Sequence, residues 1–191
     1  MQFAKSITKE EMVELPLGAF EGKILVVEED VDIQNAVNIL KESKIIGFDT
    51  ETRPAFKKGR VNKVALLQLS NCEEAFLFRL NGNGLNESIA KLLANKDIIK
   101  VGVAIRDDIK ALRKLKNFEP QSFIELQDFV KKFDIENFSL QKLAAIVLGF
   151  RISKSKQLSN WEAETLGFGQ LKYAATDAWV SLKVYKKLLE V

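Results

Sequence analysis

Two short patterns in this 191-residue sequence place polar groups where they can act together. The apolar run Ile45-Ile46-Gly47-Phe48 leads directly into Asp49-Thr50-Glu51. In a strand, alternate side chains share a face, so Asp49 and Glu51 emerge together while Phe48 and Thr50 point the other way. Neighbouring carboxylates repel unless positive charge lies between them, and hard oxygen donors on a rigid strand suit Mg²⁺ or Mn²⁺. A solvated strand end is the other reading of the same pattern. Further on, Tyr173-Ala174-Ala175-Thr176-Asp177 sets a phenol and an acid four residues apart, so on a helix they share a face. Alone, that pair also fits an ordinary surface contact.

Composition narrows the chemistry. Histidine is absent, which removes histidine triads, histidine-ligated zinc and a histidine general base. The single cysteine, Cys72, cannot form an internal disulfide. Carboxylates are left as the metal-binding groups. With 47% hydrophobic and 29% charged residues the chain is of globular type. No apolar run approaches the roughly 20 residues of a bilayer span, and the first residues carry no apolar signal core. No membrane partner is expected, and a reducing cytoplasm is the expected location. The net charge of +3 permits a nucleic-acid partner. Lys57, Lys58, Arg60 and Lys63 form one basic cluster and Arg151, Lys154 and Lys156 a second; each fits either a solvated face or phosphate contacts. Phe56 and Trp161 could stack on bases or pack inside.

The elements that must position these groups follow from periodicity. Strands are expected at 22–27, 45–51, 64–69, 75–78 and 98–105, the third and fourth forming a hairpin across residues 70–74. Helices are expected at 32–42, 85–93, 107–115, 126–132, 140–148 and 169–189. Ser139 is placed to cap the start of the fifth helix and Gly149 to stop it. Ala174, Ala175 and Ala178 would let the last helix approach another element closely. Strands alternating with helices predict an α/β fold around a mixed sheet. No repeat or linker marks a boundary, so a single domain over residues 1–191 is expected, with an N-terminal arm of about 20 residues.

Asp49-x-Glu51 ending an apolar strand, an aspartate at 108 early in a helix, and Tyr173-x-x-x-Asp177 on a late helix occur in that order. The set resembles the DEDDy branch of the DnaQ-like 3′-5′ exonucleases. The local texture at 48–51, 63–69, 101–105, 158–161 and 173–178 is most similar to Werner-type exonuclease domains, with ribonuclease D more distant. The resemblance runs from about residue 22 to the C-terminus.

It implies a ribonuclease H-like fold and metal-dependent hydrolysis of phosphodiesters from a free 3′ end, releasing nucleoside 5′-monophosphates. DNA is the expected polymer; RNA 3′-end processing and a catalytically silent nucleic-acid-binding module are the alternatives. Two divalent cations, Mg²⁺ or Mn²⁺, would stabilise the attacking and leaving oxygens. Asp49 would bridge them, Glu51 and Asp177 would complete the first site, Asp108 would serve the second, and Tyr173 would orient the attacking water. The resemblance places the middle acid at Asp108 rather than Asp107, leaving Asp107 as an N-cap or helix-dipole partner. Ala104 stands where the superfamily often has asparagine. Thr50, Thr52, Arg151, Lys154, Lys156 and Trp161 are the expected substrate contacts. Any helicase partner would be a separate polypeptide.

Overall fold

A computed structural model describes residues 3–54, 62–82 and 84–191; Phe56, Lys57, Lys58 and Arg60 lie outside them. The chain opens with a short helix, α1 (Lys9–Glu14), closed by a capping box in which Thr8 and Glu11 exchange side-chain-to-backbone hydrogen bonds. There follow β1 (Lys23–Val27), α2 (Asp30–Lys41), β2 (Ile45–Thr52), β3 (Val64–Ser70), β4 (Glu74–Arg79), α3 (Glu87–Leu93) and β5 (Ile99–Gly102). Then come α4 (Ile105–Leu115), β6 (Phe123–Glu125), α5 (Leu126–Phe129), α6 (Leu140–Leu143) and α7 (Phe168–Leu189). A 3-10 turn (Val130–Phe133) extends α5, and a π-helical turn (Ala144–Leu148) extends α6.

The six strands form one mixed sheet in the order β1-β4-β3-β2-β5-β6. β2 lies inside it, antiparallel to β3 and parallel to β5. Its period-two pattern serves two different layers. Phe48 packs on one face with Leu67, Leu69, Phe76 and Phe78 against Ile33, Val37 and Leu40 of α2 and Ile89, Leu92 and Leu93 of α3. Burying each of these side chains is worth roughly 1.5–3 kcal/mol. The other face receives α7, which buries Ala174, Ala175 and Ala178 completely. Gly47 makes that approach possible: a Cβ there would lie 1.8 Å from the Ala178 carbonyl oxygen.

The expected mixed α/β sheet is present, with differences at element ends. The strand expected at 98–105 stops at Gly102, because Ala104 adopts a left-handed conformation (φ 59°) and Ile105 already begins α4. Asp107 is therefore not an N-cap; Ala104 holds that position and Asp107 sits in the first turn. The helix expected at 140–148 is one α-turn followed by the π-helical turn, with Ser139 capping its start and Gly149, at φ 74°, ending it. α1 and the three-residue β6 carry too little periodicity to be read beforehand.

Candidate active site

β2 and α7 bring the two acidic patterns together. Asp49 and Glu51 leave the same face of β2, and the close packing of α7 over Gly47 sets Asp177 beside them. One carboxylate oxygen from each of Asp49, Glu51 and Asp177 lies within 4.8 Å of the others, the one such three-acid group among the described residues. They sit in a cleft of about 290 Å³ that Thr50, Tyr173 and Lys154 also line. The Tyr173 hydroxyl shares a helix face with the Asp177 carboxylate one turn away, and both line the cleft.

Among the described residues, Lys154 is the one cationic side chain that lines the cleft, against three acids. Burial, then repulsion from Asp177, Glu51 and Asp108, pushes the Asp49 carboxyl well above the usual carboxylate range. Burial and the charges of Asp177 and Asp108 raise Glu51 to about 9. Burial raises Asp177 to about 7, against the opposing pull of the Tyr173 hydroxyl and Lys154. Burial and the neighbouring acids also push the Tyr173 phenol upward, so it stays protonated at neutral pH. Three clustered oxygen donors that cannot comfortably ionise together, with no thiolate or imidazole near them, fit a hard divalent cation.

Asp108 reaches the same strand end from the opposite face of the sheet. It is half-buried on α4 and accepts a short hydrogen bond from Thr50 Oγ1, so Thr50 links it to the strand that carries Asp49 and Glu51. Burial raises its pKa while the Thr50 hydroxyl opposes the rise. Asp107 points outward, 91% exposed and paired with Lys110 at 2.9 Å. The start of α4 is held from outside: Glu125 accepts from the backbone N–H groups of Ala104 and Ile105, both at 2.9 Å, and from Gln127 at 3.1 Å. Glu125 thus supplies the cap that the Ala104 side chain cannot. Twenty residues separate it from the helix it caps, so no local signal could have shown this.

The expected substrate contacts separate into two groups. Thr50 and Lys154 line the cleft. Thr52 is exposed beyond an irregularity in the β2–β3 register and does not line it. Arg151 turns toward the N-terminal arm, its Nε donating to the Leu15 carbonyl at 3.1 Å. The Lys156 stem lies against Gly169 at the start of α7, outside the cleft. Trp161 is a correction: it is fully buried among Ala65, Leu66, Leu77 and Ala174, and a tryptophan enclosed there presents no face to a base. Its ring instead supports Tyr173, with centroids 6.0 Å apart. Residues not anticipated in the cleft include Ser139, Gln141, Gln157 and Ser181. Of these only Gln157 had a nearby signal, the basic run that contains Lys154.

The sequence profile of the 3′-5′ exonuclease family matches residues 24–191. The Mus musculus bifunctional 3′-5′ exonuclease/ATP-dependent helicase WRN is 34% identical over 184 residues, covering 91% of this chain and 13% of that protein. The solved Aedes aegypti Nibbler EXO domain superposes with a TM-score of 0.80 at 25% identity, covering 91% of both chains. Trypanosoma brucei RNase D, solved in complex with RNA, shares the fold with a TM-score of 0.79 at 21% identity, over 90% of this chain and 64% of that one. The chain spans less than half the length of curated relatives such as WRN and the Aedes aegypti exonuclease mut-7 homolog. With its mixed sheet, its acidic cleft and a profile match over most of its length, the chain belongs to the 3′-5′ exonuclease family and has the ribonuclease H-like fold of that family.

Proposed function

We propose that this chain hydrolyses phosphodiesters from the 3′ end of nucleic acid, releasing nucleoside 5′-monophosphates, with Mg²⁺ or Mn²⁺ held by Asp49, Glu51 and Asp177 and a second cation served by Asp108. The observation that carries this reading is the convergence of three carboxylates and the Tyr173 hydroxyl in one cleft. A bound cation pair supplies Lewis-acid stabilisation of the oxygens that attack and leave phosphorus. Asp49 is the acid on which Glu51, Asp177 and Asp108 all act, so it would stand at the centre of the carboxylates that hold the cations. Tyr173, kept protonated, orients the attacking water through its hydroxyl and does not serve as the base. The buried Trp161 ring packs against the phenol and holds its plane. Lys154 adds positive charge to the cleft, where a phosphate would gain from it.

DNA is the preferred polymer in this reading, on the resemblance to Werner-type domains. The fold shared with an RNase D solved in complex with RNA favours a second reading, RNA 3′-end trimming. Residues 1–191 are taken as one exonuclease domain. Uniformly labelled DNA and RNA strands of the same sequence, incubated with the protein and Mg²⁺ or Mn²⁺, test both. Nucleoside 5′-monophosphates as the product support the reaction, and the polymer consumed faster identifies the substrate. Internal fragments, or 3′-monophosphates, would overturn it.

A further inference from the structure

We propose that an apolar cleft between the N-terminal arm and the start of α7 is a stacking site for a nucleobase of the bound strand, one or two nucleotides from its 3′ end. This rests on the exonuclease reading and extends it along the substrate. The cleft measures about 210 Å³ and is lined by Leu17, Gly18, Phe168, Gly169 and Tyr173, among others. Phe168 is 76% exposed and Leu17 60% exposed, so two large apolar side chains open on one groove. Apolar surface gathered in that way marks a binding site more often than scattered single residues do.

Position and charge select the occupant. Tyr173 and Ser153 line both this groove and the acidic cleft, so the two are continuous. Phe168 precedes Tyr173 by five residues, about 7.5 Å along the helix axis, which is about two steps of a strand stacked at 3.4 Å per nucleotide. Lys154 lines the acidic cleft and the stem of Lys156 lies against Gly169, which lines the groove, so one lysine stands beside each. Lys172 is paired with Glu21 at 2.8 Å and contributes its apolar stem. An apolar groove flanked by lysines and leading into a phosphodiester cleft matches a polymer of flat bases on an anionic backbone. Thr176 Oγ1, which also lines the groove, already bonds the Phe20 N–H at 3.1 Å and the Lys172 carbonyl at 2.6 Å. Ser153 and Ser155, also in the lining, bond each other through their hydroxyls at 3.0 Å, so the groove offers mainly apolar surface, which suits stacking and accepts any base.

The test uses Phe168→Ala and Phe168→Trp. Fluorescence anisotropy with a labelled ten-nucleotide single strand, in an Asp49→Asn background, should show Phe168→Ala weakening binding at least about fivefold, the loss expected for one stacked base, with Phe168→Trp restoring it. In otherwise unchanged protein, Phe168→Ala should raise KM for the same oligonucleotide with kcat kept, and lower the oligonucleotide-to-ester ratio of kcat/KM about fivefold. The ester is thymidine 5′-monophosphate p-nitrophenyl ester, which is too short to reach the groove. Equal strand affinity for Phe168→Ala and its parent would overturn the stacking site, as would equal losses on ester and oligonucleotide. Sedimentation revealing a dimer that Phe168→Ala dissociates would assign the groove to a second copy and also overturn it. Phe168-dependent strand binding without turnover of either substrate would keep the site and overturn the exonuclease reading.

Discussion

Gly47 on β2 lies directly beneath Ala178 on α7, with the Ala178 carbonyl oxygen 1.8 Å from where a Gly47 side chain would begin. This one contact sets the distance between the strand that carries Asp49 and Glu51 and the helix that carries Tyr173 and Asp177. A methyl at Gly47 must push the helix away, since backbone on both sides cannot rotate aside. Gly47→Ala should destabilise the fold by about 1–3 kcal/mol, lowering Tm by about 2–4 °C for each kcal/mol, and should weaken Mn²⁺ binding further than the stability loss explains. Calorimetry and a Mn²⁺ titration on the same sample check both.

The crowded carboxylates make stability depend on pH in an unusual direction. Folding raises Glu51 to about 9 and Asp177 to about 7, so between the ordinary carboxylate range and those values the folded state holds more protons than the unfolded one. Stability therefore falls as pH rises. Burial pushes Lys100 down to about 8, so that group acts in the opposite sense from about pH 8 upward and overlaps only the top of the Glu51 range. In chelator, Tm should decline from pH 5 to pH 8; Mg²⁺ or Mn²⁺ should raise it most at pH 8. A Tm that climbs over this range without cation would contradict the charge-deficient cluster.

Adjacent aspartates give a sharp comparison. Asp108→Asn should lower kcat at least about tenfold, the scale of loss for groups supporting a metal site. Asp107→Asn removes only an exposed pair with Lys110 and should change kcat less than twofold and leave Tm unchanged. Steady-state kinetics of the two variants check the assignment; a larger loss for Asp107→Asn would reverse it.

Tyr173→Phe keeps the ring against Trp161 and deletes the hydroxyl that faces the acidic cleft. It should lower kcat about tenfold to a hundredfold, the scale of a mispositioned reactant, and leave Mn²⁺ affinity within about twofold. Single-turnover rates measured beside a Mn²⁺ titration separate the two effects.

The sequence displayed what depends on short periods. Strand alternation was enough to put Asp49 and Glu51 on one face, and helical spacing did the same for Tyr173 and Asp177. The meeting of the two pairs was only hinted at, by the small residues at Ala174, Ala175 and Ala178; nothing marked Gly47 as the place that receives them. Asp108 joins from the other side of the sheet through Thr50, a residue whose side chain alternation directs away from Asp49, and only the packing of α4 reveals that link. Irregular backbone hid the rest. Between Arg151 and Trp161 no period says which side chain faces the cleft, so Lys154 could not be told from Arg151, which ties down the N-terminal arm, or from Trp161, which lies inside. Glu125 was invisible for a different reason: it caps a helix that begins twenty residues earlier.

The most direct measurement is a time course of a 5′-labelled DNA strand with a recessed 3′ end, incubated in Mg²⁺ or Mn²⁺ and in chelator, with Asp49→Asn alongside and a matched RNA strand in parallel. A ladder shortening from the 3′ end, dependent on the cation and lost in Asp49→Asn, is the expected result. Folded, cation-binding protein that leaves both strands intact, or Asp49→Asn that degrades them as fast as the parent, would contradict hydrolysis at the Asp49-Glu51-Asp177 cluster.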